Sequence, residues 1–142
     1  MEYRLKALSM MQPYAWLFAN GYLTIDDRTW STLYRGVLAI HASKGFHDRY
    51  YAFLKARTTI PLPEPLEFEH GGVVGYANLT QCIEPTAPIG TRMTQLDLKR
   101  SHFGAPGHYG FLLEGAEPTT FVKVRGNRGL FDIPDAVLKR VA

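Results

Sequence analysis

Hydrophobic and polar residues alternate along the first half of the chain in short stretches whose period changes from one to the next. The residues from Tyr3 to Ser9 alternate with a period of two, which predicts a strand. Strands are also predicted at Leu23–Trp30 and Gly36–Ala42, and the second is apolar on both faces, which favours a central place in a sheet. In Phe46–Arg57 the large apolar side chains recur at helical spacing, so this stretch is a predicted amphipathic helix.

Prolines and glycines mark where these elements end. Pro13 suits the first position of a short helix, Tyr14–Asn20, because its missing N–H has no helical partner there. Gly21 stands where a left-handed helix cap is expected. Three prolines interrupt Thr58–His70, so an extended loop is predicted between the second helix and the next strand.

The second half of the chain is read as more strand than helix. Gly71–Ile83 predicts a long strand, Met93–His102 a short helix, Tyr109–Leu113 with Thr120–Arg125 a hairpin, and Ile133–Val141 a closing helix. Strand follows strand without a helix in several places, which favours a small mixed or closed sheet over parallel βαβ order. No repeat or linker divides the sequence, so we expect one domain over residues 1–142.

Composition places the chain among ordinary globular proteins. Of its 142 residues 46% are hydrophobic and 20% charged, and its apolar runs are too short to cross a membrane. The first residues have no apolar signal core, and Cys82 is the lone cysteine, so a cytoplasmic location without a membrane partner is expected. The five histidines show no metal-ligand spacing, and we expect neither a metal nor a cofactor.

Charge permits a nucleic-acid partner without requiring one. The formal net charge is +3, and the basic residues are dispersed rather than run together. Asp26 and Arg28 point to the same face of their predicted strand, about 7 Å apart. They can hold a base edge or a phosphate, or simply pair with each other. Trp30 lies on the same face and offers a stacking surface for a base.

Three further groups of polar residues stand at the ends of predicted elements. Gln12 precedes a helix start, which can bind an anion, although Gln12 can equally serve only as a cap. His41 ends an apolar run and is followed by Ser43 and Lys44, a combination that suits acid–base or nucleophilic chemistry or a purely structural histidine. The glycine-flanked segment 126–131 is either a turn that presents its Asn-Arg pair to a ligand or a tight connection, and it lacks the context of a phosphate-binding P-loop.

Taken in order, these residues resemble the ASCH domain family, a branch of the PUA-like β-barrels associated with RNA. The resemblance covers most of the chain and is carried by the following segments: Leu8-Ser9, Gln12-Pro13-Tyr14-Ala15, Gly21, Thr24-Ile25-Asp26, Arg28-Thr29-Trp30, Tyr34-Arg35-Gly36, Ile40-His41-Ala42-Ser43-Lys44, Gly71-Gly72-Val73-Val74-Gly75, Tyr109-Gly110-Phe111-Leu112-Leu113 and Gly129-Leu130-Phe131. It implies an α+β, mainly β fold: a partly open mixed β-barrel of about six strands with flanking helices. It also implies a cleft for RNA, a modified nucleoside or a coenzyme-like ligand.

The chain departs from the family at the positions that matter most for catalysis. Related members include an amidohydrolase that acts on acetylated cytidine, and others with ribonuclease activity. Leu23 stands where the amidohydrolase has its essential lysine, Met11 where the family often has arginine, and Asp26 where the amidohydrolase has threonine. The first two changes remove positive charge from the expected cleft, and with it affinity for phosphate.

The sequence therefore predicts an ASCH-like binding domain for RNA or a nucleotide-like small molecule, held in a cleft of the β-barrel. The predicted ligand-binding residues are Gln12, Asp26, Arg28, Trp30, His41, Ser43 and Lys44. The alternative is a hydrolase, either an amidohydrolase on a modified pyrimidine nucleoside or a ribonuclease. In that case Asp26, His41 and Lys44 are the candidate catalytic residues.

Overall fold

The fold is a six-stranded mixed sheet with helices packed against it. The computed structural model describes residues 5–85, 94–100 and 107–134. Its elements, in chain order, are β1 (Lys6–Gln12), α1 (Tyr14–Ala19), β2 (Ile25–Arg28), β3 (Gly36–Phe46), α2 (Asp48–Arg57), a 3-10 turn (Pro65–Glu67), β4 (Gly72–Ile83), α3 (Gln95–Arg100), β5 (Tyr109–Lys123) and β6 (Leu130–Asp132).

The strands lie in the order β2-β5-β4-β3-β1-β6, and the sheet is not closed by backbone pairing. Only β1 and β3 run parallel, and the other neighbours are antiparallel. The parallel pair places Ser9 directly beside His41. Since side chains in register on adjacent strands share a face, this pairing positions both residues on one side of the sheet.

A side chain joins the two ends of the sheet. Arg28 lies on β2, at one edge, yet its Nη2 donates a hydrogen bond of 2.9 Å to the backbone oxygen of Ser9, on β1 near the opposite edge. The sheet therefore curls until its ends approach each other. The result is the expected partly open barrel, with an arginine across the seam.

Both faces of the sheet carry buried apolar side chains. The main core packs α1, with Leu17 and Phe18, against Leu38 and Ile40 of β3 and Phe111 of β5. A smaller cluster on the other face contains Ala7, Ala39, Val73, Val124 and Phe131. The predicted central place of β3 is thus confirmed, because its alternate residues enter both cores.

Several predicted boundaries shift in the structure. β1 continues to Gln12, and β3 continues through Phe46, which was predicted to start the helix. The helix begins instead at Asp48, because His47 acts as its N-cap and accepts the Tyr50 N–H at 3.0 Å. Pro13 is the N-cap of α1 rather than its first residue, and it follows a cis peptide bond.

The predicted hairpin of Tyr109–Leu113 and Thr120–Arg125 is wrong. Tyr109–Leu113 and residues 120–123 belong to one continuous strand, β5, which ends at Lys123. The segment between them contains Gly115 and Pro118, which normally indicate a turn. Here Gly115 adopts a φ of +62° at a point where the register between β4 and β5 shifts. Such a bulge accommodates extra residues and bends the strand without ending it.

The end of the described chain also differs from the prediction. Leu130–Asp132 forms β6, antiparallel to β1, at the end of a segment for which either a ligand-presenting turn or a tight connection was expected. Ile133 and Pro134 are not helical, and the rest of the predicted helix Ile133–Val141 lies outside the described residues. The helix predicted at Met93–His102 is present as α3 over its described part.

Candidate functional site

A cleft of about 1020 Å³ opens beside the parallel β1–β3 pair. Its walls come from β1, the end of β3, the loop before β4, the end of β5 and the loop that follows it. Its lining residues are Ser9, His41, Ser43, Lys44, His70, Gly71, Phe121, Lys123, Val124, Arg125, Gly126, Asn127 and Arg128. The cleft therefore depends on segments that are far apart in the sequence.

A hydrogen-bonded pair, Ser9 and His41, lies in the wall of the cleft. Ser9 Oγ is 3.0 Å from His41 Nδ1, and His41 Nε2 is 2.6 Å from the Val124 carbonyl oxygen. His41 is only 1% exposed, so both ring nitrogens need partners within the protein, and both have one. The imidazole is thereby held in one orientation between β1, β3 and the segment after β5.

Gly126 lets the loop that follows β5 approach the imidazole ring of His41. A Cβ at Gly126 would lie 2.8 Å from His41 Cε1, a separation that real side chains do not adopt. The loop can therefore carry Asn127 and Arg128 over the cleft only because residue 126 has no side chain. On the opposite wall, His70 Nδ1 contacts the Ser43 backbone oxygen at 2.8 Å.

The cleft is strongly positive. Four cations line it, Lys44, Lys123, Arg125 and Arg128, and its described lining includes no carboxylate. All four side chains are exposed, and none forms an ion pair within the described part of the chain. Unpaired cations around a concave surface concentrate positive potential there and attract anions.

Asp26 and Arg28 pair with each other, one of the two outcomes left open by the sequence. Arg28 Nε donates to Asp26 Oδ2 at 2.5 Å, and the Asp26 side chain is only 4% exposed. Neither residue lines the cleft, which Arg28 reaches only through the backbone oxygen of Ser9. The catalytic combination of Asp26, His41 and Lys44 is therefore not assembled in one place.

Two other predicted binding residues have structural roles. Trp30 packs edge-on against Phe111, with ring centroids 5.0 Å apart, and rests on the main core. Gln12 is buried; its Oε1 accepts the Trp16 N–H and its Nε2 donates to the Glu69 oxygen. Gln12 therefore caps α1, the alternative considered for it. Neither residue lines the cleft.

Three of the predicted binding residues, His41, Ser43 and Lys44 of β3, line the cleft. Sequence reasoning missed Phe121 and the cations at 123 and 125. Their place depends on β5 running straight into the loop, which the predicted hairpin obscured. Leu23, where the amidohydrolase has lysine, is 1% exposed in the main core, so this position supplies no ammonium group.

The mixed, open, six-stranded sheet with its flanking helices is an α+β, mainly β architecture. Nearly the whole chain superposes on crystal structures of an ASCH protein from Zymomonas mobilis. A tyrosine-to-phenylalanine variant matches with a TM-score of 0.61 at 13% identity, over 98% of this chain and 96% of that one. A serine-to-alanine variant gives 0.59 and the unaltered protein 0.57, each at 13% identity over 96% and 92% of the two chains.

This likeness shows that the chain has the ASCH fold. No protein-family model and no curated protein matches the chain. Among the described residues no helix is long and apolar enough to span a membrane. In the same residues no three histidine, cysteine, aspartate or glutamate side chains are grouped as a metal ion would need.

Proposed function

We propose that the protein binds RNA, or a nucleotide-like small molecule, in the cleft beside β1 and β3, and that it does so in the cytoplasm. The observation that carries this proposal is the charge of the cleft: four exposed cations and no carboxylate in its described lining. The formal net charge of the whole chain is only +3, so the four cations of the cleft are a local excess of positive charge. A phosphate-bearing ligand matches such a surface.

The other lining residues suit a base and a sugar. Phe121 lies partly buried in the wall, and an aromatic face there can stack on any base. Ser43 and Asn127 add a hydroxyl and an amide that can bond to base edges or a ribose. In this arrangement Phe121 has the stacking role that was predicted for Trp30, and Arg125 and Arg128 have the phosphate-binding role that was predicted for Arg28.

The binding mode predicts a definite dependence on salt. If single-stranded RNA contacts all four cations, the slope of log K against log salt should be about −2.8, or about −0.7 for each neutralised phosphate. The double variant Arg125→Ala/Arg128→Ala should bind more weakly, with a slope near −1.4. Fluorescence anisotropy of a short labelled RNA across a salt series measures both quantities.

Arg49→Ala is the matched control, because Arg49 is exposed on α2 and does not line the cleft. It should leave the slope and the affinity unchanged. A parallel titration with mononucleotides separates RNA from a small ligand. Equal effects of the double variant and the control, or no binding of either class of ligand, would contradict the proposal.

A further inference from the structure

The hydrogen-bond partners of His41 fix which of its nitrogens carries the proton. The Val124 carbonyl can only accept a hydrogen bond, so Nε2, 2.6 Å away, carries the hydrogen. A neutral imidazole has one N–H, which leaves Nδ1 as an acceptor. The Ser9 hydroxyl, 3.0 Å from Nδ1, must then donate its proton to that nitrogen.

Serine nucleophiles need a base within hydrogen-bond reach of the hydroxyl and a third group that orients the base. Ser9 and His41 meet that requirement with the two ring nitrogens exchanged relative to the common triad, since Oγ bonds Nδ1 and the orienting group bonds Nε2. The Val124 carbonyl is the orienting group. The Arg28 Nη2 bond of 2.9 Å to the Ser9 backbone oxygen holds the nucleophile from the other side. Ser9 is half-buried and lines the open cleft, so a molecule bound in the cleft lies against this residue.

We propose that Ser9 is a catalytic nucleophile and His41 its general base, and that together they hydrolyse an acyl ester carried by a phosphate-bearing molecule. The phosphate-bearing carrier rests on the function proposed above. The assignment of nucleophile and base does not, since it follows from the Ser9–His41–Val124 geometry alone.

The proposed hydrolysis has two steps, acylation of Ser9 and hydrolysis of the acyl-serine by water. Ser9 Oγ attacks the ester carbonyl carbon while its proton passes to His41 Nδ1. The tetrahedral intermediate then collapses, the bond to the leaving alcohol breaks, and the proton on Nδ1 goes to that alcohol. Water next attacks the acyl-serine and gives its proton to Nδ1. The carboxylic acid is released and the proton returns to Ser9 Oγ.

The surrounding charges favour this chemistry. Each tetrahedral intermediate carries a negative oxygen, and the four cations of the cleft with the Asn127 amide provide a positive, donor-rich wall. Since the described lining has no carboxylate, no negative charge opposes that oxygen. In the resting protein the Ser9 hydroxyl occupies Nδ1 of His41, which is 1% exposed. Once Ser9 is acylated it no longer donates to Nδ1, and a water molecule that enters from the cleft takes its place there.

A fluorophosphonate probe tests the nucleophile directly. Attack by Ser9 Oγ forms an O–P bond, expels fluoride and passes the hydroxyl proton to His41, which leaves a covalent adduct. We expect intact-mass spectrometry to show one adduct, and peptide mapping to place it on Ser9 and not on Ser43. Ser9→Ala should abolish labelling, and His41→Gln should slow it by about 100-fold or more.

Ser31→Ala is the matched control, since Ser31 is exposed and lies outside the cleft, and it should label at the normal rate. No adduct at Ser9 under conditions that fully label a known serine hydrolase would overturn the assignment, as would equal labelling of Ser9→Ala. A purely structural Ser9–His41 bond gives no adduct. Labelling with no RNA or nucleotide binding would uphold the nucleophile and reject only the proposed carrier.

Discussion

At residue 126, the absence of a side chain brings a loop against the buried imidazole of His41. Gly126→Ala would place a Cβ 2.8 Å from His41 Cε1. The ring cannot turn away without losing its bonds to Ser9 and Val124, at 3.0 and 2.6 Å. We therefore expect Gly126→Ala to lower the free energy of unfolding by about 1–3 kcal/mol, the usual cost of overpacking.

Urea denaturation measures that change. Thr120→Ala, an exposed substitution earlier on β5, serves as the control and should stay within about 0.5 kcal/mol of the wild type. The loop that carries Asn127 and Arg128 should also shift in Gly126→Ala, so RNA affinity should fall. A variant as stable as the wild type would show that the loop moves freely and does not depend on the ring.

Single residues also show what the sequence can and cannot reveal about the site. His41 was noticed because a polar residue ends an apolar strand, and it does lie in the cleft. Gln12 precedes a helix start, where either an anion site or a cap was expected, and it caps α1. Composition alone cannot separate these outcomes, because a polar side chain within a core segment needs a partner whether that partner is a ligand or the protein itself.

At the scale of elements, a single carboxylate joins α3 to the start of β2. Asp97 is fully buried and accepts hydrogen bonds from the backbone N–H groups of Thr24, Ile25 and Thr94. The hydroxyls of both threonines donate to it as well, at 2.7 and 2.8 Å. This one side chain therefore joins α3 to the start of β2.

We expect Asp97→Ala to lower the free energy of unfolding by at least about 3 kcal/mol, because several buried donors lose their acceptor at once. Asp97→Asn keeps one acceptor oxygen, so its loss should be smaller. Urea denaturation of both variants ranks them. Asp48→Ala, on the exposed first turn of α2, is the control and should change stability little. Equal losses in Asp97→Ala and Asp48→Ala would refute the role of Asp97.

Helices and strands with a clear apolar period could be predicted from the sequence. Strands that form only because a neighbouring strand pairs with them could not. The helix at 48–57 and the strands β3 and β4 follow from their own apolar pattern. β6 has three residues and exists because β1 offers it an edge, which no local pattern reveals. The sequence predicts two strands in place of β5, because glycine and proline normally break a strand. In the structure the pairing of β5 with β4 continues on both sides of these residues.

At the scale of the whole molecule, the Asp26–Arg28 pair bridges the seam of the partly open barrel. Arg28 binds Asp26 at 2.5 Å and the Ser9 carbonyl at 2.9 Å, so it spans the gap between β2 and β1. Removing the guanidinium takes away one half of an ion pair whose carboxylate, Asp26, is only 4% exposed. Arg28→Met should therefore cost about 3–5 kcal/mol of unfolding free energy, as expected for breaking a buried ion pair.

A double-mutant cycle tests whether this pair holds the seam. Combining Arg28→Met with Asp26→Asn removes both charges, and we expect a coupling energy of up to about 3 kcal/mol from urea denaturation of the four proteins. The Lys6–Asp132 pair, 2.9 Å apart, links β1 to β6 but is more exposed, so its cycle should give about 1 kcal/mol or less. Equal coupling in the two cycles would mean that backbone and core packing hold the seam without Arg28. A larger value for Asp26–Arg28 would show that one side chain joins the two ends of the sheet and, through the Ser9 carbonyl, holds the wall of the cleft in place.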